Sequence, residues 1–262
     1  MLIIGERINT SREDVRKAVG ARDAAFIKKL SRRQVEAGAN MLDVNCGTSL
    51  EKEPDDLNWL IRTIQEEVGV PLCIDSPSPE AIANALPLHK GKALINSITL
   101  EESRYEKILP LVKKYNSSVV ALTMDEKNLP ETAEQILRIA EGLLLAAKKY
   151  GIAEEDIYFD PLVKPVSSSP KQAREFLDSI RLIKNLGRVK VIGGLSNVSF
   201  GLPKRGLLNS AFLAMACSAG LDAAIIDALD KSVMSALRAA EAITGRDPYC
   251  RNYLTAYRQG KL

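Results

Sequence analysis

Residues that can do chemistry recur in this chain at the ends of short apolar runs. Glu6, Arg7 and Asn9 follow the first run, Asp43 and Asn45 close the second, Asp75 and Ser76 the third, and Asn96 and Ser97 the fourth. Thr123, Met124 and Asp125 end the fifth, Asp160 the sixth, Ser196 and Asn197 the seventh, and Asp227 the eighth. Asp, Asn and Ser often precede loops because they cap helices and close turns. That habit accounts for any one of these positions better than for all of them. It fits Asp43, Asp75, Asn96 and Asp160 least, since they are set in apolar context. Gathered in one place, carboxylates and amides suit a planar ligand. A carboxylate accepts two parallel N–H bonds, and an amide reads an edge that mixes donors with acceptors.

Other chemistries lack their residues. His89, in PLHKGKA, is the sole histidine and precedes the fourth run, so neither a Ser/His/Asp triad nor a histidine-based metal site can be assembled. No lysine ends a run where a Schiff base would form: Lys190 enters the seventh from its start, and Lys164 lies in the DPLVKP loop. The carboxylates are spread over separate runs, and no bound metal is expected. Cys46, Cys73, Cys217 and Cys250 form no CxxC pair, which suits thiols in a reducing cytoplasm.

The elements that must position these residues alternate in type. Strand candidates are LIIGE (2–6), NMLDVN (40–45), PLCID (71–75), KALIN (92–96), SVVALTM (118–124), IYFDP (157–161), VKVIGGLS (189–196) and DAAIID (222–227). Segments of helical periodicity separate them, such as 24–38, 56–69 and 131–151. Gly38, Gly69, Gly151 and Gly220 stand where helices should end, and Pro79-Glu80 suits a first turn. Eight such units, with strands apolar enough to be covered on both faces, predict a (β/α)8 TIM barrel spanning 1–262 as one domain, with its chemistry at the carboxyl ends of the strands. An open doubly wound sheet is the alternative, but no GxGxxG follows the first strand. A formal charge of +3 against 36 basic and 33 acidic residues gives no reason to expect nucleic acid or a membrane surface. No apolar run nears the roughly 20 residues that span a bilayer, and MLIIGERINTSRED has no signal-peptide pattern, so a cytoplasmic protein is expected. The basic, Tyr-bearing tail RDPYCRNYLTAYRQGKL reads as a solvated helix.

A 2-amino-4-oxo-pteridine presents the kind of edge such a cup would hold, and the motifs agree. LIIGERIN, LDVN, CIDS, ALINS, DPL and above all GLSNVS resemble the pterin-binding methyltransferases over essentially the whole chain. The closest resemblance is to 5-methyltetrahydrofolate:corrinoid methyltransferases. It implies a TIM-barrel homodimer that moves a methyl group between N5 of tetrahydrofolate and the cobalt of a corrinoid (cobalamin) carried by a separate protein. It further implies that Asp75, Asn96 and Asp160 hold the pterin, that Asn197 approaches N5, and that Ser196 and Arg205 lie near the ligand. Glu6, Asn9 and Asp43 are weaker carry-overs, as pocket or supporting groups. Phe200 departs from the family, in which a glutamine follows the asparagine. A dihydropteroate-synthase-like condensing enzyme is an alternative, but an NVTPDSF-like first loop is missing and the last strand ends in IIDALD. A non-catalytic folate-binding protein is the other.

Overall fold

A computed structural model describes residues 1–47, 51–125 and 129–262. Eight parallel strands close into a barrel in chain order: β1 Leu2–Asn9, β2 Met41–Asn45, β3 Leu72–Asp75, β4 Leu94–Ile98, β5 Ser118–Leu122, β6 Ile157–Asp160, β7 Lys190–Gly194 and β8 Ala223–Ile226. The helices are α1 Glu13–Gly20, α2 Ala24–Ala37, α3 Glu53–Gln65, α4 Pro79–Ala85, α5 Glu102–Lys114, α6 Ala133–Lys149, α7 Gln172–Lys184, α8 Arg205–Ala219, α9 Lys231–Ile243 and α10 Arg251–Arg258. This is the expected (β/α)8 barrel.

Local signals act where they were legible. Gly38 and Gly220 end α2 and α8 at φ 118° and 114°, a left-handed region that costs a residue with a Cβ. Pro79 opens α4 behind Ser78, whose hydroxyl accepts from Ala81 N. Thr132 and Gln135 close a capping box on α6. One expectation fails: α3 stops at Gln65, and irregular turns carry the chain onward, so Gly69 does not cap it. Strand five is also shorter than 118–124. Beyond Leu122, both the backbone N and the hydroxyl of Thr123 donate to Asp160 O, which ties the end of β5 to β6.

Strand alternation sorts side chains between two cores. Outward residues such as Leu42, Val44, Leu72, Ile74, Ile95, Val119 and Phe159 pack under the helices. Gly193 belongs to that layer, for a Cβ there would meet Phe176 Cζ of α7 at 2.7 Å. Inward residues Ile4, Met41, Cys73, Leu94, Val120, Tyr158, Ile192 and Ala223 form a separate apolar plug. Two residues further along the strands, the same inward face carries Glu6, Asp43, Asp75, Asn96 and Asp160. The tail helix α10 is exposed apart from buried Ala256 and half-buried Tyr253. Among the described residues, no helix is long and apolar enough to cross a membrane.

Candidate functional site at the barrel mouth

Each expected pterin-contacting strand residue stands one alternation above the plug. Cys73 and Asp75 share the inward face of β3, Leu94 and Asn96 that of β4, and Tyr158 and Asp160 that of β6. The ladder puts Asn45 opposite Asp75, and Asp75 opposite Asn96. β1 reaches the same level by a bulge. Between Gly5 and Ile8 it spends one residue more than β2, so Asn9 comes to lie opposite Asn45 while Glu6 also joins the mouth.

The mouth is acidic and crowded. Burial pushes Glu6 up to about 6, and the Asp227 carboxylate adds to it, against the Ser196 hydroxyl, which lowers it. That hydroxyl lies 2.8 and 3.0 Å from the two Glu6 oxygens and donates to the carboxylate. Burial likewise pushes Asp160 up to about 6, opposed by Leu162 N, which donates to Oδ1 at 2.9 Å. Asp75 is raised by burial, while Asn45 Nδ2 donates to its Oδ2 at 2.9 Å and favours the charged form. Asp43 lies deeper, 3% exposed, and is raised well above the usual carboxylate range, by burial and then by the Asp75 charge. Cys73 beside it is held as a neutral thiol by burial and by the same two carboxylates.

The β7 end is built differently. Gly194 faces the lumen, where a Cβ would meet nothing within 4 Å, so the mouth is open above Ile192. The chain then makes a helical turn over Leu195–Ser199. Arg205, opening α8, fastens this turn: Nη2 donates to Ser196 O at 2.6 Å and Nε to Ser199 Oγ at 3.0 Å, and Ser199 in turn donates to Asn209. Asn197 is exposed at the rim, and among the described residues its carboxamide has no hydrogen-bond partner. Phe200 is 64% exposed, and its carbonyl accepts from Ser167.

The expected residues therefore fall into groups. Glu6, Asp43, Asp75 and Asn96 line one continuous arc, with Ser196 and Arg205 joined to it through Glu6. Asp160 stands across the barrel on β6. Asn9 is turned to local use, its Oδ1 accepting from Ser11 N. Asp227 is occupied by Arg7 at 2.9 Å and by Leu229 N.

Two supporting residues were missed. Arg104 of α5 donates to the carbonyls of Ser97, Pro77 and Ser76, tying the β3 and β4 loops together beside Asp75. Glu53, 2% exposed at the start of α3, accepts from Ser76 Oγ at 2.6 Å. No local pattern marks either one, because each acts on a loop far away in sequence. His89 serves the opposite end of the barrel, where its Nε2 accepts from Leu72 N. Among the described residues, no group of three or more His, Cys, Asp or Glu side chains is placed to hold a metal ion.

Known proteins match both the sequence and the fold. The family described as pterin binding enzyme matches residues 5–227. The methylcorrinoid:tetrahydrofolate methyltransferase of Eubacterium limosum is 37% identical over 100% of this chain and 98% of its own length. Methionine synthase of Mycobacterium tuberculosis is 31% identical over 87% of the chain, which spans only 20% of that longer protein. Dihydropteroate synthase of Xanthomonas albilineans superposes with a TM-score of 0.73 over 92% of each chain at 22% identity, a likeness of fold.

Proposed function

This chain belongs to the pterin-binding enzyme family, and from that premise we propose that it is a methyltransferase acting between N5 of tetrahydrofolate and the cobalt of a corrinoid on a separate protein. The observation that carries this reading is the end-to-end similarity to the methylcorrinoid:tetrahydrofolate methyltransferase. A mouth lined with carboxylates and amides, open above Gly194, supports it. Residues 1–262 act as one pterin-binding domain. A corrinoid protein docks over the mouth, and pairing as a homodimer belongs to the same proposal.

Asp75, Asn96 and Asp160 bind the pteridine edge. The two carboxylates accept its N–H groups, and the amide both donates and accepts. Ser196 and Arg205 position the turn that carries Asn197. The partner's cobalt is the methyl donor or acceptor, so this chain needs no nucleophile of its own. When the methyl leaves N5, the bonding electron pair stays on nitrogen and N5 takes up a proton from solvent; when the methyl arrives, the N5 lone pair forms the bond and N5 gives up its proton to solvent. In both directions N5 changes basicity at the transition state, and the unpartnered Asn197 carboxamide is the neutral donor that meets it. A carboxylate there would repel the same electron density.

The direct test mixes the protein anaerobically with methyltetrahydrofolate and reduced cobalamin, following the cobalt(I) absorbance. Decay that depends on protein and folate together supports the reading. Folate binding without decay would leave a binding protein, and consumption of a pterin pyrophosphate with p-aminobenzoate would point to a condensing enzyme.

A further inference from the structure

Four acids, Glu6, Asp43, Asp75 and Asp160, share the inward face of the mouth one alternation above the plug, and only Asp43 is sealed. Asp75 and Asp160 are partly open at the mouth, whereas Asp43 is 3% exposed. Their partners differ in the same sense. Asp75 accepts from Asn45 Nδ2, and Asp160 accepts from Leu162 N. Asp43 is met by the Cys73 thiol and the Asn96 amide, but its Oδ1 is buried with no hydrogen-bond partner. An ionised carboxylate with an orphaned oxygen is among the costliest groups to bury, and a like charge nearby adds to that cost.

The groups facing Asp43 offer no compensating cation. Cys73, its ladder neighbour on β3, is a neutral thiol, and Asp75 on the same strand is an acid. Glu6 from β1 is a third acid, and Asn96 from β4 is neutral. Arg104 acts on Asp75 and Arg205 on Glu6. Two acids side by side, one sealed and one with a cation nearby, settle into unequal states. Asp75, with the Asn45 amide and the Arg104 guanidinium beside it, keeps the charge, and the more deeply buried Asp43, with only the Asn96 amide and the Cys73 thiol, takes the proton.

We propose that Asp43 works as a neutral carboxylic acid whose O–H is a hydrogen-bond donor to the bound pteridine. The inference rests on the mouth being the pterin site. A 2-amino-4-oxo edge carries acceptors as well as N–H donors, and ionised Asp75 and Asp160 can only accept. A proton kept on Asp43 supplies the donor those carboxylates lack, from the floor of the cup where water does not compete. Asp43 thus discriminates among flat ligands: one with a donor facing the floor leaves two hydrogens opposed.

The experiment compares Asp43→Asn and Asp43→Ala with the parent by tetrahydrofolate titration and by infrared spectroscopy of the ligand-free protein at pH 7.5. The parent should show a protonated-carboxyl C=O band that both variants lack. Asp43→Ala should bind tetrahydrofolate about tenfold or more weaker, the scale of a lost buried hydrogen bond. Asp43→Asn keeps an N–H donor in place and should recover most of that loss. Absence of the band, or an Asn variant as impaired as the Ala one, overturns the proposal. If the parent binds no folate at all, the functional reading fails, while the infrared band still decides whether Asp43 holds its proton.

Discussion

At the amino-terminal end of the barrel, charges answer one another. Lys92 and Ser118 both meet Asp156, Lys184 grips both oxygens of Asp222, and Asp222 also accepts from Val191 N. Lys190 donates to the Tyr158 hydroxyl and lies over its ring. At the carboxyl end, Glu6, Asp43 and Asp75 crowd together, Asp160 stands across from them, and all four are pushed toward their neutral forms, with cations only at the edges. The same strands run between the two ends, so the difference lies in what each end is for. Paired charges stabilise the closed barrel, whereas buried acids without paired cations cost folding energy and leave hydrogen-bonding capacity for a ligand.

That contrast can be broken from either end. The largest effect is expected at the rim. Asn197→Ala should slow methyl transfer about 10²–10³-fold, the cost of losing one preorganised donor, with folate affinity kept within about tenfold. Stopped-flow cobalt(I) decay and folate titration measure the two parts, and an unchanged rate would remove Asn197 from the mechanism.

Asp160→Asn should pull function and stability in opposite directions. An acid whose folded pKa is raised from 3.8 to about 6 destabilises the fold once it ionises. The cost grows as pH climbs from about 4 to 6 and is complete above that. Since the group is partly open to solvent, the variant should gain about 1–2 kcal/mol at pH 8 and nothing near pH 3. It should also bind folate about tenfold weaker. Urea denaturation at several pH values checks the first part, and a loss of stability at pH 8 would contradict the contrast. The smallest effect belongs to the other end: Asp222→Ala should lower stability by about 1 kcal/mol through the lost Lys184 and Val191 partners, leaving folate affinity unchanged. A folate defect in that variant would show that the two ends are coupled.

Much of this contrast could be read before any coordinates. Strand positions, the left-handed glycines at 38 and 220, and the side of the barrel on which His89 lies all follow from local pattern. Glu6, Asp75, Asn96 and Asp160 were legible because they close apolar runs at the strand ends, and alternation is the physical reason they rise on the inward face above the plug. Gly69 misled because a glycine permits a left-handed cap without requiring one. Asn9 is brought level with the mouth by the bulge in β1, and its side chain closes the turn to Ser11.

The sequence by itself determined the barrel, the end that carries the polar ring and most members of that ring, because periodicity and strand order are local properties that topology then closes. Only the tertiary structure decided how those members differ. It paired Asn45 with Asp75 and left Asp43 Oδ1 without a partner, set Ser196 on Glu6, brought Arg104 from α5 to the β3 and β4 loops, and left the Asn197 carboxamide unengaged at the rim. Each is a contact between residues remote in the chain, and the charge state of an acid depends on burial and neighbours that no local pattern records.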